Sequence, residues 1–343
     1  MKSGTKSVII SFLILIFFWF EISTGSVKIG ISELLQILSF QDTDSIASKI
    51  ILHIRLPRTL TAILGGGALA IAGLLMQTLF KNPLAGPSVL GGSAGASLGV
   101  GIMMLAGGSV ASSLHIKQLD TLGNWSIAIA AIMGSTLVLS VVLAFARKVK
   151  DNVILLIIGI MIGYLANGIL SLWQFFASPE ELQDFLLWTF GNLSAVTYSQ
   201  LIVLSILIIS GVFISLLVAK PLNALLLGEN YAQSMGVDIK NIRILLIVVS
   251  SVLAGAITAF CGPIGFVGIT VPHLTRMVFR TSNHKVLIPN TFLLGSLVLV
   301  ICDLLAQIPG SALVLPINVI TSFLGAPVIM WFLLRRRKFK RAI

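Results

Sequence analysis

The chain has 343 residues, 57% of them hydrophobic and only 10% charged, against roughly 25% charged in soluble domains. A mean hydropathy of +1.04 excludes a soluble core with a wetted surface. The net charge of +11 would suit nucleic acid. However, the basic residues sit in short loops and in the run Arg335-Arg336-Arg337-Lys338, where they meet anionic lipid headgroups instead.

Ten apolar stretches follow in chain order, near 8–24, 59–79, 88–107, 125–145, 152–172, 200–219, 243–261, 263–280, 287–307 and 316–334. Each approaches the roughly 20 residues that cross a ~30 Å hydrocarbon layer. Lys2 and Lys6 ahead of the apolar run 8–20, with Ser23-Thr24-Gly25 behind it, fit a cleaved secretory signal. The bulky Phe17-Phe18-Trp19-Phe20 instead suits an interfacial anchor, and a retained helix is expected. Arg55 and Arg58, one turn apart, can receive either a carboxylate of another protein or headgroup phosphates. Asn82-Pro83-Leu84-Ala85-Gly86-Pro87 must turn, because proline lacks a donor and fixes its backbone angle.

Gly91, Gly95 and Gly99 recur every four positions, as do Gly159 and Gly163, and Ala68 with Ala72. Such rows let helices approach closely in lipid. Gly163, Asn167, Ser171 and Gln174 share one face of the fifth span. That polar stripe lines either a pathway or a hydrogen-bonded helix contact. After this span, Glu180, Glu181, Asp184 and Trp188-Thr189-Phe190-Gly191-Asn192 read as a short interfacial helix.

The loop 221–237 holds a short helix near 229–235, with Glu229 at its positive end and Gly236 as a left-handed stop. Leu226, Leu227, Tyr231 and Met235 then lie exposed as a partner surface, unless the loop folds back onto the bundle. Gly262-Pro263-Ile264-Gly265-Phe266-Val267-Gly268 with Pro272-His273 interrupts a span. Irregular backbone at that depth needs protein or a wet cavity to satisfy it. Cys261 and Cys302 give no metal spacing and no disulfide framework.

The basic residues assign the loops to two sides. One side carries Lys2, Lys6, Lys81, Arg147, Lys148, Lys150, Lys220, Lys240, Arg243, Arg276, Arg280, Lys285 and six more in the tail. Lys28, Lys49, Arg55, Arg58 and Lys117 fall on the other. Lys and Arg near span ends resist translocation, so the richer side, with both termini, is expected in the cytoplasm.

The ordered set of motifs resembles the permease subunits of ABC importers for iron–siderophore, haem and cobalamin, the type II importers. The matching residues are Arg55-Leu56-Pro57-Arg58, Gly73 with Gln77, Asn82-Pro83-Leu84-Ala85-Gly86-Pro87, Leu90-Gly91 and Gly95-Ala96. Leu227-Gly228-Glu229, Ala232, Met235-Gly236-Val237, the segment 262–268 and Pro272-His273 also match. So do Leu315-Pro316, Thr321 and Gly325-Ala326-Pro327, so the likeness spans about 50–334.

The resemblance implies an all-α, ten-span membrane fold, one transmembrane permease domain over 1–343 with a basic tail 335–343, and a homodimer or pseudo-dimer with its path between subunits. It implies an inner gate at Asn82 and Leu84. A coupling helix for two ATPase subunits would involve Leu227, Gly228, Glu229, Ala232 and Gly236. Arg55 and Arg58 would dock a substrate-binding protein, and Gly163, Asn167, Ser171 and Gln174 would line the path. Relatives carry Asp-x-x-Ala-Arg where Asp303-Leu304-Leu305-Ala306-Gln307 stands here, and Glu-Leu-Pro-x-Gly where Val314-Leu315-Pro316-Ile317-Asn318 stands.

No Gly-x-x-x-x-Gly-Lys-Ser/Thr segment is present, so ATP and magnesium are expected on the partner ATPase and no cofactor on this chain. The expected cargo is an iron chelate imported through the cytoplasmic membrane of a prokaryote, with cobalamin as the alternative. An ion-driven secondary transporter would need an ionisable residue deep in the bundle, and the only candidates, Asp303 and His273, lie near span ends. A membrane enzyme would need clustered acid–base or metal-binding groups, which His53, His115, His273 and His284 do not form in sequence.

Overall fold

A computed structural model describes residues 3–24, 30, 34, 36, 37, 45–105, 120–149, 151–307 and 314–340, with side chains of 120–124, 333 and 335–340 left aside. The expected basic residues Lys2, Lys28, Lys117 and Lys150, and the side chains of the tail, lie outside that description. The helices are α1 (Ser3–Ser23), α2 (Ile46–Leu79), α3 (Gly92–Leu105), α4 (Asp120–Ala146), α5 (Asn152–Phe176), α6 (Pro179–Thr189), α7 (Tyr198–Leu217), α8 (Ala219–Leu226), α9 (Glu229–Ser234), α10 (Ile239–Cys261), α11 (Val267–Phe279), α12 (His284–Ala306) and α13 (Ile317–Lys340). Among the described residues the only β pairing is the isolated bridge Gln307–Val314.

Each of the ten expected spans coincides with a helix. Seven are long and apolar enough to cross a membrane, and Gly92–Leu105 and Ile317–Phe332 are shorter apolar helices. The thirteen-residue α11 reaches only about 20 Å at ~1.5 Å per residue. The Gly262–Phe266 loop completes its transit, and protein satisfies that loop's backbone. Gly265 N–H donates to Asn318 Oδ1 at 3.0 Å, and Asn192 N–H donates to Cys261 O at 2.8 Å. Asn318, a departure from the family pattern, thus has a structural task.

The bundle is organised around α2, which packs against α12, α10, α11 and α7, while α3 packs against α4 and α5. Lipid supplies no hydrophobic drive between helices, so close van der Waals contact must do the work. A Cβ added at Gly66 would lie 2.2 Å from Gly295 O, and one at Gly73 would lie 1.6 Å from Gly268 O. Backbone therefore meets backbone at both crossings. The Gly95 and Gly99 row meets α4 in the same way, at Gly134 and Ala130.

Helix α2 begins at Ile46, well before the expected residue 59, and contains a π-turn over Ile51–Arg55. Pro57 explains the turn, because its ring clashes with the carbonyl four residues back and a π-bulge opens that register. Helix α1 packs as part of the bundle. It packs on α12 through Ile10 and Leu297, and Ser7 Oγ donates to Asn290 Oδ1 at 2.6 Å. The start of α1 and the end of α13 both lie at the end of the bundle that carries α9, opposite α6.

Candidate functional site

At the α6 end, Arg58 Nε and Nη2 donate to Asp303 Oδ2 and Oδ1 at 2.7 and 2.8 Å, a two-pronged ion pair. Arg55 Nη1 donates to the Ile22 carbonyl at 2.6 Å. Both arginines are buried, at 7% and 9% exposure. The π-turn and the approach of α1 and α12 fold both guanidinium groups inward, so in this structure neither presents a free cation for docking. Gln307, in the place of the family arginine, donates to Asp303 Oδ2 at 3.4 Å. Capping explains the acidic helix here, since Ser178 and Glu181 form the capping box of α6.

At the α9 end, α2 stops at Leu79 and the backbone reverses at Lys81, with φ of +47°. The next residues form a tight turn in which Leu84 N–H donates to Asn82 Oδ1 at 2.9 Å. Leu84 projects outward, at 41% exposure. His273 Nε2 lies 2.7 Å from the Pro83 carbonyl. That oxygen only accepts, so the ring carries its proton on Nε2. The imidazole also stacks on Phe332, centroids 4.4 Å apart. Gln77 fastens α11 to α2 by donating to Ile269 O at 3.0 Å and accepting from Arg276 Nη1 at 2.6 Å.

The knuckle α8–α9 sits beside this turn. Gly228 and Gly236 bracket α9 with φ of +120° and +83°, a region that glycine enters at little cost. Ala232 is buried beneath it, whereas Leu226, Leu227, Tyr231 and Met235 are exposed. The fold-back alternative does not hold. Glu229 Oε1 accepts from Asn152 Nδ2 at 2.6 Å and lies 3.5 Å from Arg243 Nη2. Arg243 also donates to Val149 O at 2.9 Å. Asn223 Oδ1 accepts from the backbone N–H of His284 and contacts its Nδ1, and His284 Nε2 contacts Thr78 Oγ1 at 2.9 Å.

The polar stripe on α5 divides. Gly163 lies against Gly91 of the neighbouring turn and lines the same groove as Asn167. Asn167, with Ser88, Ser93, Ser97 and Tyr164, borders an open groove of about 320 Å³. Ser171 is exposed and Gln174 half-buried, both beyond that groove. No group of three or more His, Cys, Asp or Glu able to hold a metal occurs among the described residues. Sequence reasoning missed Asn152, Asn223 and His284. Asn152 leaves one faint signal, because Asp151 already caps α5 and a second capping-type residue follows it unused.

Comparison with known proteins gives consistent results. The chain is 34% identical over 319 residues to the hemin transport system permease protein HmuU of Yersinia pestis, covering 92% of this chain and 93% of that one. It is 36% identical over 285 residues to the vitamin B12 import system permease protein BtuC of Klebsiella pneumoniae, covering 83% and 82%. A solved structure described as an inward-facing conformation of a metal-chelate type ABC transporter superposes with a TM-score of 0.83 at 26% identity, over 97% of this chain and 99% of that one. Residues 13–335 match the FecCD transport family, and the chain belongs to that family as a multi-pass permease subunit of type II ABC importers.

Proposed function

We propose that this permease carries an iron chelate, siderophore or haem, across the cytoplasmic membrane by alternating access, as a homodimer served by two ATPase subunits and a substrate-binding protein. The exposed apolar knuckle Leu226–Leu227–Tyr231–Met235 carries the coupling part of this reading. Exposed apolar groups of that size on a short, glycine-bracketed helix suit insertion into a cleft of another protein. The α9 end then faces the cytoplasm, in keeping with the lysines and arginines of its loops.

Motion of the knuckle opens and closes the turn at Asn82 and Leu84. The open face of α5, with Asn167 and Ser171, meets the second copy and lines the path. Arg55 and Arg58 each have to leave their present partners before either can receive a binding protein's carboxylate. The likeness to a hemin permease supports an iron chelate as cargo, and the likeness to vitamin B12 permeases supports cobalamin as the alternative.

The test is uptake by proteoliposomes holding permease, ATPase and binding protein, offered haemin, a ferric hydroxamate and cyanocobalamin in turn. ATP-dependent accumulation of an iron chelate is the expected result. Accumulation of cobalamin alone would overturn the cargo, and uptake that an ionophore abolishes but ATP depletion spares would overturn the energy source. Deleting Glu229–Ser234 is expected to abolish uptake while leaving membrane insertion intact.

A further inference from the structure

We infer that Asn152 is the joint through which displacement of α9 reaches the inner gate, an inference that rests on the coupling reading above. The two hydrogens of its side-chain amide go to two different moving parts. One is donated to Glu229 Oε1 on α9 at 2.6 Å, and the other to the Leu79 carbonyl at the end of α2 at 3.1 Å. Both partners are acceptors only, so the amide has one permissible orientation, with its NH2 group towards them. Its Oδ1 is buried and accepts no hydrogen bond. A buried polar atom without a partner is rare, and here it accompanies a side chain held entirely through its two donations.

Leu79 is the last residue of α2, three before Asn82. A second connection ends on the preceding residue, from Asn223 of α8 through His284 to Thr78. The knuckle therefore grips the end of α2 at two adjacent residues, with Asn152 carrying the α9 arm. Exposed Lys81 and Leu84 follow, with the Pro83 carbonyl between them held by His273, so the grip acts where the chain enters the gate turn. Asn152 is a positioning residue that touches neither cargo nor nucleotide.

The test uses the permease–ATPase complex in lipid nanodiscs with a Leu84→Cys reporter, read by the rate of maleimide labelling with and without MgATP. Cys261 and Cys302 are buried, at 3% and 1% exposure, so the permease's own background is low, and labelling is read on the permease band alone. ATP is expected to change the labelling rate at least about fivefold in this parent, and no change there would sink the coupling reading itself. Asn152→Asp keeps the volume but cannot donate to Leu79 or Glu229, and should cut the ATP effect below about twofold. Adding Glu229→Gln rebuilds only the α9 contact, with the new amide donating to the new carboxylate, and leaves the Leu79 carbonyl unbonded, so the double variant should stay below about twofold.

An unchanged ATP effect in N152D overturns the inference. So does a reversed pair that recovers the ATP effect, which would make the bond to Leu79 dispensable, or loss of ATPase co-purification, which would make Asn152 a docking support. Should N152D not reach the membrane, Asn152→Ser, too short to reach either acceptor, reads the same contact by the same criteria.

Discussion

Two arginine–carboxylate pairs stand at opposite ends of the bundle, and they are built to different specifications. Arg58 and Asp303 meet through two short bonds, with side chains 10% and 2% exposed. Arg243 and Glu229 meet at 3.5 Å through one contact, with Glu229 34% exposed. In the first pair both charges have left water, and the buried Glu21 carboxyl shares their site. In the second, water screens the carboxylate and an amide shares it. A pair of the first kind fixes helices in place, whereas the second holds a part that can shift at small cost.

The sharpest way to break this contrast is Asp303→Ala. Removing Asp303 takes away both charge-assisted bonds to Arg58 and leaves the buried Glu21 carboxyl to balance the charge. At roughly 1.5 kcal/mol per bond, the change should cost about 3 kcal/mol. Thermal unfolding of the detergent-solubilised protein measures it. A loss under about 1 kcal/mol would mean that the site is wet and the contrast false. Replacing both residues by leucine should recover most of the loss, since a well-packed apolar pair is often neutral.

Arg58→Lys is a milder probe. Lysine keeps the charge but cannot reproduce the planar two-pronged geometry. About 1–3 kcal/mol should be lost on the same unfolding curve. At the other end, Gly236→Ala places a side chain at φ of +83°, where an L-residue loses roughly 1–2 kcal/mol. That effect should appear as faster amide hydrogen exchange across α9, with the global transition hardly moved.

The two ends were not equally legible in the sequence. The α9 knuckle is local: Gly228, Glu229 and Gly236 lie within a few residues of one another, and the 3.6-residue period places Tyr231 and Met235 on one side. The α6 end is built from contacts that no window covers, with Arg58 and Asp303 separated by 245 positions. Lys49, His53, Arg55 and Arg58 also dilute the apolar signal of α2, so hydropathy cut this helix short. The burial of Arg55 and Arg58 became possible only because Asp303 and the Ile22 carbonyl wait on other helices. Asn152 was hidden for a related reason. It follows a competent cap, and its partners, 73 and 77 positions away, are visible only in the folded chain.

The smallest expected change in stability comes with the largest expected loss of partnership. Tyr231 and Met235 are 52% and 62% exposed, so truncating both to alanine should alter unfolding by no more than about 0.5 kcal/mol. If the knuckle inserts into an ATPase cleft, the same side chains are buried in the complex. An aromatic anchor in such a position is worth roughly 2 kcal/mol, close to a thirtyfold change in affinity. Titrating purified ATPase onto the nanodisc-held double variant separates the two quantities. An unfolding midpoint that holds while binding weakens at least tenfold places these apolar groups in the service of the partner. If stability drops and binding stays, the knuckle belongs to the permease core, and the distinction between a fixed end and a yielding end disappears.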